Sequence, residues 1–327
     1  MKITKFTMKL SHISAILLVL TVLACDNNKK KKQEDTAVKV ETQTEPFFKI
    51  SLAQWSFHTM VLEEGADPFD FAKDAKALGF EAVEYVNQLY EKQVDSMGLD
   101  AVLERLKSES EKHDVKNLLI MVDHEPDLAD ADPEVRDAAV EAHKKWVDAA
   151  AYLGCHSIRV NTFGTMNPDI WVESVKDGLT KLSKYAATKN INVLVENHGW
   201  WSSDPVKVMQ VINEMNMPNC GTLPDFGNWC YKRSENYFGG ECLEEFPDKY
   251  EGIKLMMPAA KAVSAKSYAF DENGNETTID FVRMLQIVKD SGYNGYISVE
   301  LDTQGVDEKE GIIATRNLLI NASKQLN

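Results

Sequence analysis

Positive charge is the first thing this chain has little of. Its 36 Lys and Arg stand against 51 Asp and Glu, a formal charge of -15, which argues against nucleic acid or an anionic membrane surface as a partner. Neither GxGxxG nor GxxxxGK[ST] occurs, so no glycine-rich turn is available to cradle a dinucleotide or a nucleoside triphosphate. The five cysteines form no CxxC pair, which leaves zinc-ribbon and thioredoxin-type sites without support.

Long apolar runs are missing except near the start. Lys2, Lys5 and Lys9 precede the run Ile13 to Leu23, which ends Val22-Leu23-Ala24-Cys25, the pattern of an export signal. The run is short for a membrane span. A small residue before a lone cysteine resembles the lipobox of bacterial lipoproteins, which implies that residues 1–24 are a signal peptide and that Cys25 is lipidated. The chain would then be exported and anchored by that lipid to the membrane of the cell envelope, facing the periplasm or the cell surface. An ordinary cleaved signal with an incidental Cys25 is the competing reading. Without Lys2, Lys5 and Lys9 the charge goes from -15 to -18. Residues 26–46 mix like-charge runs with polar residues and lack apolar periodicity, as expected of a flexible tether. In an oxidising compartment Cys230 and Cys242, which flank a loop, could pair; Cys155 and Cys220 read as buried thiols.

From Phe47 to Asn327 strand-like runs alternate with helical patterns, as in one α/β domain. The strand candidates are FKISLAQWSFH, EAVEYVN, NLLIMVDH, SIRVNTFG, NVLVENH, CGTLPDF, AKAVSAKSY and GYISVELD, eight in all. Asp67-Pro68, Asp132-Pro133, Asn167-Pro168 and Asp204-Pro205 each offer a side-chain cap with proline at the first helical position. Phe71, Ala75 and Leu78 share one expected inward face, and Val135, Ala139, Ala142 and Trp146 another. Gly79, Gly154 and Gly292 stop helices just before strands. Eight βα units, with no phosphate turn after the first strand, predict a closed (β/α)8 TIM barrel rather than an open doubly wound sheet.

Barrel function sits where the strands end. Polar residues recur there: Gln54 and His58, Glu84, Asp123 and His124, Arg159 and Asn161, Glu196 and His198, Asp225, Ser264 and Lys266, Glu300. Any one of them is more often a helix cap or a partner for a surface lysine. Glu196, Asp225 and Glu300 differ because each follows an apolar run that draws it to the mouth. Their mutual repulsion, about 4 kcal/mol per pair at 4 Å for an effective dielectric of 20, calls for a cation among them. Hard oxygen ligands suit magnesium or manganese, with zinc admissible if an imidazole joins, and Lys266 is an internal rival.

IRVN at 158–161, VENH at 195–198, LPDFGN at 223–228, AVSAKSY at 262–268 and GYISVE at 295–300 together resemble the xylose-isomerase-like barrels, the sugar phosphate isomerase and epimerase superfamily, and more closely its exported lipoprotein members from Bacteroidetes-type bacteria. The resemblance implies one divalent cation held by Glu196, Asp225 and Glu300. It also marks two departures: Ser264 stands where a seventh-strand histidine is common, and Asn228 where a histidine often follows the sixth-strand aspartate.

Such a site would lower the barrier to proton loss beside a sugar carbonyl by stabilising an enediolate. The resemblance gives Glu196 and Glu300 the proton transfers, with Lys266 and His198 as further candidates. Arg159, Asn161, Glu84, His124, Trp200 and Asn228 are the expected substrate contacts; Trp201 follows Trp200 directly after the Glu196-Asn197-His198 run, and Trp55 and Trp229 lie near other strand ends. The expected partner is a small unphosphorylated sugar or keto-sugar, and a homo-oligomer remains open. Elimination from a 3-keto-glycoside, and plain sugar binding without catalysis, are the alternatives.

Overall fold

All eight expected strands form in the computed structural model, which describes residues 45–235, 237–303 and 307–326. The signal peptide, Cys25 and the tether up to residue 44 lie outside the described residues. The barrel strands are β1 (Lys49–Ala53), β2 (Ala82–Val86), β3 (Lys116–Val122), β4 (Ser157–Val160), β5 (Asn192–Glu196), β6 (Cys220–Leu223), β9 (Val263–Ser267) and β10 (Tyr296–Leu301). They pair in parallel in the order β6-β5-β4-β3-β2-β1-β10-β9. A helix follows nearly every strand, the connection that parallel pairing demands.

Bridges Thr222↔Ala260 and Asp225↔Ser264 join β6 to β9 and close the ring. Pro224 has no N–H, so this seam is sparser than the others. Ser264 donates its N–H to Pro224 O at 2.9 Å, and Phe226 returns a bond to Ser264 O at 3.0 Å. The register sets Ser298 level with Ser264 and Glu300 level with Lys266. Neighbours at one level share a face, so the strand-end polar groups face one another.

The four proline-led caps work as expected. Asp67 accepts from Phe69 N, Asp132 from Glu134 N, Asn167 from Asp169 N and Ile170 N, and Asp204 from Val206 N and Lys207 N. Gly79, Gly154 and Gly292 hold φ of 86°, 75° and 80°, where a side chain would strain the backbone. One helix face is corrected. On Pro133–Leu153 the buried residues are Arg136, Ala139, Val140, His143, Trp146, Val147, Ala149, Ala150 and Leu153, whereas Val135 is exposed and Ala142 half-buried. Arg136 takes an inward position because Asp177 and Asp130 O receive its guanidinium at 2.8 and 2.6 Å.

An element that the sequence patterns miss follows β6. The antiparallel hairpin β7 (Cys230–Arg233) and β8 (Cys242–Glu245) is stapled by a Cys230–Cys242 disulfide with Cα atoms 5.9 Å apart. Trp229 anchors its base, with Nε1 donating to Phe226 O and its ring on Gly252, where a Cβ would come within 2.3 Å. Cys155 and Cys220 are free and buried. Among the described residues no helix is long and apolar enough to cross a membrane.

Candidate active site

A cavity of about 740 Å³ opens at the carboxyl ends of the strands. Barrel residues supply its floor: Asp123, Arg159, Asn161, His198, Asn228, Lys266 and Glu300 all line it. The hairpin adds Arg233, Tyr237 and Phe238 at the rim, and the loop after β3 adds His124, Glu125 and Asp127.

Under that floor Glu196, Asp225 and Glu300 converge, each with a carboxylate oxygen within 4.8 Å of the other two. All three are buried, yet only Glu300 reaches the cavity surface. Asn228 bonds Glu196, donating Nδ2 to its Oε1 at 3.3 Å while its own Oδ1 accepts from Lys266 Nζ at 3.3 Å. Its backbone sits in the left-handed region at φ 61°.

Two cations stand beside the acids. Lys266 Nζ lies 3.1 Å from Glu300 Oε1 and 3.5 Å from Asp302 Oδ2. Arg159 grips Asp123 with Nη1 at 2.7 Å, and its Nε lies 2.8 Å from Glu196 Oε2. Asp225 Oδ2 is fully buried and accepts no hydrogen bond, and Glu196 Oε2 has only its ion pair with Arg159. A buried carboxylate oxygen with no donor, beside two further acids, is what a cation site leaves when the positive group it faces is not part of the protein. Ionised, as a bound cation would hold them, Asp123, Glu196, Asp225 and Glu300 against Arg159 and Lys266 leave two negative charges, apart from the half-buried Asp302. The donor set is all oxygen, so the residues fit a hard divalent ion. Ser264 donates to Glu300 Oε2 at 3.0 Å and so orients that carboxylate.

The electrostatics follow from burial. Desolvation raises the Asp225 carboxyl to about 7, against the pull of Lys266 and with the push of Glu300. Desolvation likewise pushes Glu196 well above the carboxylate range, Arg159 pulling back and Glu300 and Asp225 pushing on. Burial would lower the Lys266 ammonium, yet Glu300, Asp302 and Asp225 together hold it well above its ordinary value. Asp123 is the opposite case: burial alone would raise it, but Arg159, His198 and Asn161 bring it down to about 2.

Asp123 also organises the next shell of polar groups. Asn161 Nδ2 donates to Asp123 Oδ1 at 2.6 Å, which turns Asn161 Oδ1 toward His198 Nδ1 at 2.7 Å. An acceptor there requires the proton on Nδ1, so the His198 lone pair is on Nε2. Burial and then Arg159 push this imidazole well below its usual range, and it is neutral at pH 7.

Two asparagines aim two of the acids. Asn197 donates Nδ2 to Asp225 O at 3.0 Å and to Gly227 O at 2.8 Å, and its Oδ1 accepts from Asp225 N at 2.7 Å. Asn87 repeats the device on Asp123, with Nδ2 to O at 2.9 Å and Oδ1 from N at 2.7 Å. In both, a side-chain amide extends a ladder past the strand end.

Several expected contacts lie elsewhere. Glu84 is below the floor, not in the cavity wall; it accepts from Ser51 Oγ at 2.9 Å, and desolvation lifts it to about 7. Trp200 stands behind the wall, edge-on to Tyr237 at 4.9 Å, and Trp201 stacks on Tyr231. Trp55 does line the cavity. His124 sits exposed at the rim, its Nδ1 2.7 Å from Glu91 Oε1. Arg159 is at the floor, but Asp123 and Glu196 occupy its guanidinium. Asp123, to which sequence reasoning assigned no role, lines the cavity together with the unassigned Phe163, Arg233, Tyr237, Phe238, Tyr268 and Asp302 among others. A signal existed for Asp123, Tyr268 and Asp302, which lie at the ends of strand patterns.

The family model described as "Xylose isomerase-like TIM barrel" matches residues 72–321. The chain belongs to that family. No curated protein matches it by sequence. Among solved structures, this xylose isomerase-like barrel is similar to D-psicose 3-epimerase with D-tagatose from Clostridium cellulolyticum H10, at TM-score 0.59 and 12% identity over 85% of this chain and 98% of that one. It is similar to 3-keto-D-glucoside 4-epimerase from E. coli, at TM-score 0.61 and 15% identity over 84% and 99%. A family protein from Mycobacterium smegmatis in complex with magnesium aligns at TM-score 0.60 and 14% identity over 86% and 99%. At such identities the likeness is one of fold.

Proposed function

We propose that this chain is a divalent-cation-dependent isomerase or epimerase of unphosphorylated sugars or keto-sugars. The observation that carries the reading is the buried triad Glu196, Asp225 and Glu300, with Asp225 Oδ2 left without a donor, under the floor of a cavity. Glu196, Asp225 and Glu300 would hold the cation, with magnesium or manganese favoured by the oxygen donors. When bound, such an ion is a Lewis acid that draws charge from a sugar carbonyl and so acidifies the neighbouring C–H.

The residues divide the remaining work by their positions. Glu300 is the acid of the triad that reaches the cavity, and it takes or returns the proton on that side. His198, neutral with its lone pair on Nε2, is the partner proton carrier from β5. Lys266 offsets the charge of Glu300 and stands by as a donor to a sugar oxygen. Asp123 and Asn161 keep His198 in one tautomer, and Asn228 holds Glu196. The acidic cavity disfavours phosphate esters, since its two floor cations already have partners. The leader and Cys25 would carry the barrel out of the cell and tether it by lipid, which incorporation of labelled fatty acid, abolished by Cys25→Ala, would test.

The deciding measurement is elemental mass spectrometry of the purified chain beside Asp225→Asn, paired with deuterium uptake from D2O into candidate sugars. The reading expects near one divalent ion per chain, lost in the variant, and label at the carbon beside the carbonyl. No ion after incubation with manganese, magnesium or zinc would sink it. An unsaturated product would move the chemistry to elimination, and saturable binding without label would leave a sugar-binding barrel.

A further inference from the structure

We infer that the substrate is a two-ring glycoside, one ring at the floor and the second against the hairpin. This deepens the function proposed above and rests on it. The first argument is size. The 740 Å³ cavity lies within the roughly 300–1,000 Å³ that holds a ligand of drug size, more than the dozen or so non-hydrogen atoms of a hexose need. The reacting groups Glu300 and Lys266 occupy the floor, so the remaining volume lies toward the rim.

The second argument is the chemistry of the rim. Tyr237 stacks on Phe163 at 4.2 Å with planes 12° apart, and Phe238 lies 5.5 Å from Phe163 and 4.8 Å from His198. These rings form a continuous aromatic wall from the proton carrier outward, the kind of surface that takes the C–H face of a pyranose. The wall is fixed in place: the disulfide staples its hairpin, and Tyr237 Oη reaches across to Asp127 Oδ2 at 3.1 Å. A preset wall loses little freedom on binding, so it contributes to affinity rather than closing after the fact.

The third argument is hydrogen bonding. At the same rim Glu125 is held by Lys145 and by Trp146 Nε1, both at 2.6 Å, and Asp127 accepts from Tyr237. These carboxylates line the cavity and offer acceptors to the hydroxyls of a second ring.

The test uses the full chain loaded with manganese and reads deuterium uptake from D2O. Lactulose, maltulose and turanose, disaccharides ending in a ketose, are compared with fructose, tagatose and psicose. The inference expects kcat/KM for the best disaccharide at least on the order of tenfold above the best hexose, and Phe238→Ala to lower that preference by about tenfold. Hexoses exchanging as well as disaccharides, or a preference unchanged in Phe238→Ala, would overturn it while the proposed function stands. Label in neither class would overturn both.

Discussion

Ion pairs crowd both the outer helices and the barrel mouth, but they are built differently. On the outside Lys176 reaches Glu173 and Glu214 at 2.8 and 2.9 Å, with side chains 28%, 71% and 42% exposed. At the mouth Arg159 and Glu196 are 3% and 1% exposed. Water already solvates the outer partners, so pairing gains them little. The inner partners lost their hydration on folding, and hydrophobic residues of the same volume would serve stability as well. Buried charge that stability does not require points to chemistry, and the inner set is also the one left two positive charges short of balance.

Removing one partner should separate the two regions most sharply. Arg159→Met leaves Asp123 and Glu196 without their cation, and a loss of about 3–5 kcal/mol is expected in urea unfolding. A loss near that of an exposed pair would mean that water enters the floor.

Next comes the ion itself. Asp225 folds with its carboxyl raised to about 7, above the unfolded value near 4, so its contribution is full in acid and is lost as pH rises through about 7. Asp123, held at about 2, contributes above pH 4 or so and loses that contribution as pH falls toward 2. The metal-free protein should therefore be most stable in weak acid, between these two losses. A divalent ion at 100 times its Kd adds about 2.7 kcal/mol and should move the optimum upward, because it binds the ionised acids. Thermal unfolding from pH 4 to 9, with EDTA or manganese, checks this; superimposable profiles would contradict the site. The smallest change is expected outside: Lys176→Ala should shift stability by under about 0.5 kcal/mol. A larger effect there would erase the contrast between the two regions.

How much of this was legible follows the range of the forces. Caps such as Asp132-Pro133 and stops such as Gly154 act within a turn, so the eight units and their order could be read directly. Glu196, Asp225 and Glu300 could be read because a carboxylate behind an apolar run has one place to go in a barrel. The inward face of Pro133–Leu153 could not, since Arg136 is buried by a partner on another helix, Asp177, and His143 by bonding Ala139 O of its own helix. The hairpin is too irregular to show a period, and with it went Tyr237 and Phe238. Glu84 and Trp200 are the converse: β2 runs on to Val86, so Glu84 is mid-strand beneath the floor, and Trp200 lies past β5 and packs behind the wall.

The asparagine of the Glu196-Asn197-His198 run has its own consequence. Asn197 on Asp225 and Asn87 on Asp123 act as peptide groups borrowed from side chains, each holding an acid's main chain from both sides. The two acids are thus immobilised during folding, one of them at the proline-weakened seam. Little reorganisation is left for the moment a ligand arrives, and the entropy of aligning those carboxylates does not enter the barrier of each turnover.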